Sequence, residues 1–314
     1  TRMEPMKRCK SILDFADGET APPPALHRAL RLAETNGARL TLIDVLEPLD
    51  LPNDIAERLG RDLREMLSDQ RQQTLDALAA MYTGDDTLVY TTVLFGIPFV
   101  EVIRAVKIGG YDLVIKSARC PADLSERLFG SNDMHLLRKC PCPVWIDRPN
   151  AAPHYTHILA AVDPMTPDQE SCDDQVMALA SSLSGRESAS LSVVHAWELD
   201  GESMLRNGRL RLPEIEVQQL LQGAEGRHRE KLATLLSRYG LTSGDPAVHL
   251  VKGEAAPSIR QLAERLPADL IVMGTVGRSG IPGFFIGNTA EEVLQTTQAS
   301  VLAVKPRNFV SPVT

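Results

Sequence analysis

Asp269-Leu270-Ile271-Val272-Met273-Gly274-Thr275-Val276-Gly277-Arg278-Ser279-Gly280-Ile281-Pro282-Gly283-Phe284-Phe285-Ile286-Gly287-Asn288-Thr289-Ala290-Glu291 is the stretch on which the reading of this chain turns. The apolar run Leu270–Met273 suits a strand buried on both faces of a parallel sheet. A glycine-rich segment follows, and a helical pattern over Ala290–Thr297 closes the unit. A loop between a buried strand and a helix lies at the carboxyl edge of the sheet, where open α/β folds bind ligands. Glycine lets backbone approach a ligand closely. The first N–H groups of a helix are unpaired and attract anions. Residues 274–289 are therefore a candidate phosphate cradle, with the Asn288 and Thr289 side chains as further donors. No Lys-Ser/Thr pair follows the last glycine, so this is not a Walker A loop, and the spacing is not that of G-x-G-x-x-G.

Working outward, the same rhythm occurs twice. Ile12–Asp17 resembles Ile158–Asp163, Ala38–Val45 resembles Ala189–Ala196, and Val93–Gly96 resembles Leu250–Gly253. Asp112–Ile115 then matches Asp269–Val272, and Pro143–Ile146 matches Ser300–Val304. Helical patterns separate the runs. Ala25–Asn36 stops at Gly37, Gln175–Leu183 stops near Gly185, Ile215–Tyr239 ends at Gly240, and Pro257–Leu266 opens with a proline in its first turn. Strands alternating with helices imply βαβ units with right-handed crossovers. The expected fold is α/β: two tandem Rossmann-like domains, each a five-stranded, mainly parallel sheet flanked by helices. The boundary falls near Arg148–Tyr155, which gives domains at 1–150 and 151–314.

Gly274-x2-Gly277-x9-Gly287, followed by small polar residues, resembles the nucleotide-binding signature of the universal stress proteins, and two such domains in one chain resemble the tandem branch of that family. The resemblance implies ATP or another adenine nucleotide as cofactor, with Mg²⁺ as its companion ion. It places Asp163 near adenine, Val194 against the base, Met273 and Gly274 on the ribose side, and Gly277, Gly287, Asn288 and Thr289 on the phosphates. Arg278 is a further candidate for the phosphates. Where the family usually has Ser or Thr after the last glycine, this chain has Asn288, whose amide still donates, so the choice among AMP, ADP and ATP is open. In the first half Ser117 and Cys120 stand opposite Gly274 and Gly277, and Lys116 stands opposite Met273. The N-terminal motif is thus expected to be degenerate, with Asp17 and Gly130-Ser131 as relics and the side chain at position 120 crowding the phosphate path. The resemblance also implies that the terminal strands near Val144–Ile146 and Val301–Val304 pair the two domains within the chain, and a homodimer is a further expectation.

Composition sets the outer bounds. The chain has 314 residues, suited to two domains, with 43% hydrophobic and only 4% aromatic residues, so aliphatic side chains must build the core. A net charge of −8 disfavours nucleic acid as a partner. No run of 18 apolar residues indicates a membrane span, and the polar start shows no signal-peptide core, so a cytoplasmic location is the expectation. Five cysteines without CxxC spacing argue against a disulfide framework or zinc site and read as buried or incidental thiols. Catalytic candidates are few. His195, at the end of a strand, reads as a satisfied packing histidine, with a place facing the nucleotide as the alternative, and Glu291 and Glu292 as acidic residues favoured at a helix start, with a Mg²⁺ role as the alternative. Three roles remain open: a nucleotide-binding stress or regulatory protein, a slow nucleotide hydrolase, and an interaction scaffold or carrier of an apolar ligand.

Overall fold

In the computed structural model the described residues are 9–19, 23–49, 53–81 (side chains from 62), 88–118, 129–149, 151–166, 171–207, 212–275 and 287–314. The first half runs β1 (Ser11–Phe15), α1 (Pro24–Asn36), β2 (Arg39–Leu46), α2 (Asn53–Ala80), β3 (Val89–Phe95), α3 (Pro98–Gly109), β4 (Leu113–Ser117), α4 (Ser131–Lys139) and β5 (Val144–Asp147). The second half runs β6 (His157–Ala161), α5 (Asp173–Glu187), β7 (Ser190–Trp197), α6 (Glu202–Asn207), α7 (Glu214–Ser237), β8 (Val248–Lys252), α8 (Ala255–Arg265), β9 (Leu270–Gly274), α9 (Asn288–Thr296) and β10 (Ser300–Val304).

Among the described residues these strands form one ten-stranded sheet in the order β3-β2-β1-β4-β5-β10-β9-β6-β7-β8. Each half has the same internal order and is parallel throughout. The halves meet at an antiparallel pairing of β5 with β10, in the register Val301↔Ile146, Leu302↔Trp145 and Ala303↔Val144. Parallel strands must be buried on both faces, and the apolar core does lie on both sides of the sheet. One side takes Leu26 and Leu30 from α1, Val176 and Ala180 from α5, and Leu232 and Leu236 from α7. The other takes Val102 and Ile103 from α3, Leu136 from α4, and Ile259 and Leu262 from α8. Each side draws on both halves, so the core is continuous across the junction.

The repeated Asp before the fourth strand of each half has a mechanical reason. Asp112 Oδ2 accepts the backbone N–H groups of Lys10 and Ser11, at 2.5 and 3.0 Å. Asp269 Oδ2 does the same for Thr156 and His157, at 2.7 and 3.1 Å. Each carboxylate thus ties the start of one strand to its neighbour. The repeated glycine after the third strand is matched as well: Gly96 and Gly253 both have φ of +143°, where side chains are rarely tolerated. At the junction, buried Asp147 accepts from Arg28 Nε (2.6 Å), Tyr155 Oη (2.7 Å) and Ser300 Oγ (2.6 Å), which joins α1, β5, the connector and β10.

One helix end differs from expectation. Helix α5 passes through Gly185 and stops at Glu187, and Ser188 takes the left-handed cap with φ of +54°. A mid-helix glycine costs only about 1 kcal/mol, less than the packing of Val176, Met177, Ala180 and Leu183 contributes.

Asp14 on β1 is 2% exposed, and its Oδ2 has no hydrogen-bond partner among the described residues. Burial raises its carboxyl to about 7, against the opposing charge of Lys116. The folded chain then holds a proton that the unfolded chain releases near pH 4. Stability is fully present below that and is lost as pH rises through about 7, by at most about 4 kcal/mol at 1.36 kcal/mol per pH unit. Asp14→Asn removes this proton. Denaturant midpoints at pH 5 and pH 8 should show the variant gaining on the wild type as pH rises; a constant difference between the two would contradict the assignment.

Candidate functional site

In each half the strand order reverses between the first and fourth strands, and a crevice opens at their carboxyl ends. In the second half this is a cleft of about 1320 Å³. The ends of β6 and β7 supply Asp163 and Val194 to it, the end of β9 supplies Met273 and Gly274, and the start of α9 supplies Gly287, Asn288 and Thr289. The structure therefore brings seven of the nine sequence-derived candidates to one cavity. Gly277 and Arg278 lie outside the described residues.

The two described ends of the candidate loop, Thr275 and Gly287, are tied together. Thr275 N–H donates to Val304 O at 3.1 Å, and Gly287 N–H donates back to Thr275 O at 2.9 Å. The chain leaves the sheet and re-enters it at one point, immediately before α9. Thr275 is fully buried and Lys305 Nζ donates to its hydroxyl. Gly287, the N-cap of α9, carries no side-chain cap bond, and Asn288 and Thr289 are exposed. Gly274 is needed for space: a Cβ there would clash with Cys172 Sγ.

Asp163 is held in a local turn. Its Oδ2 accepts from Thr166 Oγ1 at 3.0 Å and its Oδ1 from Met165 N–H at 3.4 Å. Its own N–H donates to Asp173 Oδ1 at 3.0 Å. Burial, assisted by the Asp163 charge, lifts the Asp173 carboxyl to about 6. Sequence reading missed a pair on the far wall. His195, 1% exposed, has Nδ1 3.1 Å from Val162 O, so Nδ1 donates. Its Nε2 then accepts from His228 Nδ1 at 2.8 Å. His195 is thus a satisfied packing residue, as expected, and also lines the cleft. Glu291 serves the junction, pairing with Arg138 at 2.5 Å.

The equivalent crevice of the first half is filled by its own side chains. Lys116, on the rung where β9 has Met273, is fully buried and pairs with Asp17 at 2.9 Å and with Asp133. Asp133 stands where α9 has Ala290, and its Oδ2 accepts the N–H of Gly130, the N-cap of α4, at 2.9 Å. Burial opposes charge on Lys116, but the Asp133 and Asp17 carboxylates outweigh it and hold the ammonium above the ordinary lysine value. A second pair, Arg71–Asp44, occupies the positions of His228 and His195. The chemistry differs accordingly. The first crevice holds an internal ion pair against its helix start, and the second has the apolar Met273 and Ala290 at the same two positions. Position 120, expected to obstruct the first crevice, lies outside the described residues.

Residues 9–148 and 154–305 each match the universal stress protein family. Universal stress protein E of Escherichia coli strain K12 is 28% identical over 319 residues, covering 98% of both chains. The Haemophilus influenzae homolog of that protein is 26% identical over 95% of this chain and 97% of its own length. Among solved structures, a functionally unknown protein from Pseudomonas aeruginosa superposes with a TM-score of 0.71 at 26% identity, covering 96% of this chain and 94% of that one. No helix among the described residues is long and apolar enough to cross a membrane.

Proposed function

Since the chain belongs to the universal stress protein family, we propose that its second half binds an adenine nucleotide, ATP, ADP or AMP, in a regulatory or protective stress response. In this reading Gly277, Gly287, Asn288 and Thr289 hold the phosphates, with Arg278 as counter-charge and Mg²⁺ carried by the phosphate oxygens. Met273 and Gly274 border the ribose, and Asp163 and Val194 the base. The role is binding rather than turnover: backbone amides and small polar donors hold an anion and activate nothing. The first half, residues 1–150, is a paired partner domain whose own motif has degenerated, and residues 151–314 carry the ligand. We place the protein in the cytoplasm.

The observation that supports this most is the contrast between two matched positions. Where the first half sets Lys116 and Asp133 against its helix start, the second sets the apolar Met273 and Ala290. Removing an internal ion plug from one copy of a duplicated site is expected when that copy receives an external anion. Protein denatured after purification should release an adenine nucleotide detectable by mass spectrometry, and added ATP should raise the melting temperature, by about 2.7 kcal/mol of stability at a hundredfold excess over Kd. Finding neither a released nucleotide nor a shift would reject the reading.

A further inference from the structure

A thiol pair sits apart from the cleft, where α4 hands the chain to the junction strand. Cys140 caps α4, its N–H donating to Leu136 O at 2.9 Å with φ of −69° and ψ of 132°. The chain passes through Pro141 to Cys142 and enters β5. Cys140 is fully buried and Cys142 half-buried, and their sulfurs are 3.6 Å apart, in direct contact. One turn back, Leu137 O accepts from the buried Lys305 Nζ at 2.5 Å, an amine that burial lowers to about 7. The hydrogen bond from Cys142 lowers the Cys140 thiol below its ordinary value, against burial and with help from Lys305. The two sulfurs thus share a hydrogen bond that favours the charged form of Cys140 over that of Cys142. The other described thiols differ: burial lifts Cys9 to about 11 and Cys172 to about 12, which keeps both protonated and unreactive.

We propose that Cys140 and Cys142 are a redox modification site, closing to a reversible intramolecular disulfide when the chain meets hydrogen peroxide. The Cys140 thiolate attacks one peroxide oxygen, the O–O bond breaks, and Cys140 becomes a sulfenic acid. The hydroxide released takes the Cys142 proton and leaves as water. The Cys142 thiolate then attacks the Cys140 sulfur, expelling a second hydroxide that leaves as water after taking a proton from solvent. Two thiols lose two electrons and one peroxide is reduced to two waters. A disulfide needs its sulfurs about 2.05 Å apart, so the pair closes by roughly 1.5 Å.

The test treats the full chain with hydrogen peroxide, blocks remaining thiols with N-ethylmaleimide and maps peptides by mass. The peptide holding Cys140 and Cys142 should lose two hydrogens and take up no maleimide, dithiothreitol should restore both thiols, and Cys9 and Cys172 should stay alkylated. In Cys142→Ser, Cys140 should stop at a sulfenic acid that dimedone captures. Both thiols still alkylated in the oxidised wild type, or Cys140 bonded to another cysteine, would overturn the proposal. So would Cys142→Ser without a dimedone adduct.

Discussion

Lys116→Met should destabilise the chain by about 3–5 kcal/mol, the usual effect of removing one partner of a buried ion pair. The reason is what it leaves behind. Asp133 is almost wholly buried, Asp17 is mostly so, and both pair with Lys116. The second half shows the remedy, since the same two rungs there hold Met273 and Ala290. Lys116→Met combined with Asp133→Ala should therefore recover most of the loss, because replacing a buried pair by apolar groups is often neutral. Urea denaturation of the three proteins measures this. A double variant no more stable than the single one would show that the pair does not work as a unit.

Gly287→Asp should leave stability unchanged or slightly raised while weakening nucleotide binding at least about a hundredfold, or about 2.7 kcal/mol. Gly287 has φ of −64°, which any residue adopts, and Asp is among the best N-caps. Its carboxylate would satisfy the amides of α9 internally, much as Asp133 does for Gly130, and would set a negative charge where phosphate is proposed to sit. Thermal melts with and without ATP separate the two effects. A variant that melts like the wild type and still responds to ATP would remove the start of α9 from the proposed site.

Much of this was legible in the sequence because each signal had a local cause. The Asp before the fourth strand, the Gly after the third and the apolar runs between them recur because each performs one mechanical task in both halves. The pairing of β5 with β10 followed from the family resemblance rather than from any residue pattern. The seven described candidates meet in one cleft because they sit at strand ends and a helix start, and strand order alone gathers those.

What escaped were contacts between residues far apart in the chain. Lys116 opposite Met273 was visible, but Asp133 as its partner was not: a carboxylate in the first turn of a helix reads as a dipole effect. His228, deep in α7, gave no sign of meeting His195. Cys140 and Cys142 were visible as a pair, but sequence does not say whether two sulfurs face each other. Helix α5 ran past Gly185 because tertiary packing outweighs a small local propensity.

The most direct test of the central claim, one anion-receptive crevice and one self-filled crevice, is the stoichiometry of ATP binding by isothermal titration calorimetry on the full chain with Mg²⁺ present. The account predicts one nucleotide per chain, with Lys116→Met/Asp133→Ala leaving that site intact. No detectable heat would contradict the proposed cleft, and two nucleotides per wild-type chain would contradict the asymmetry on which it rests.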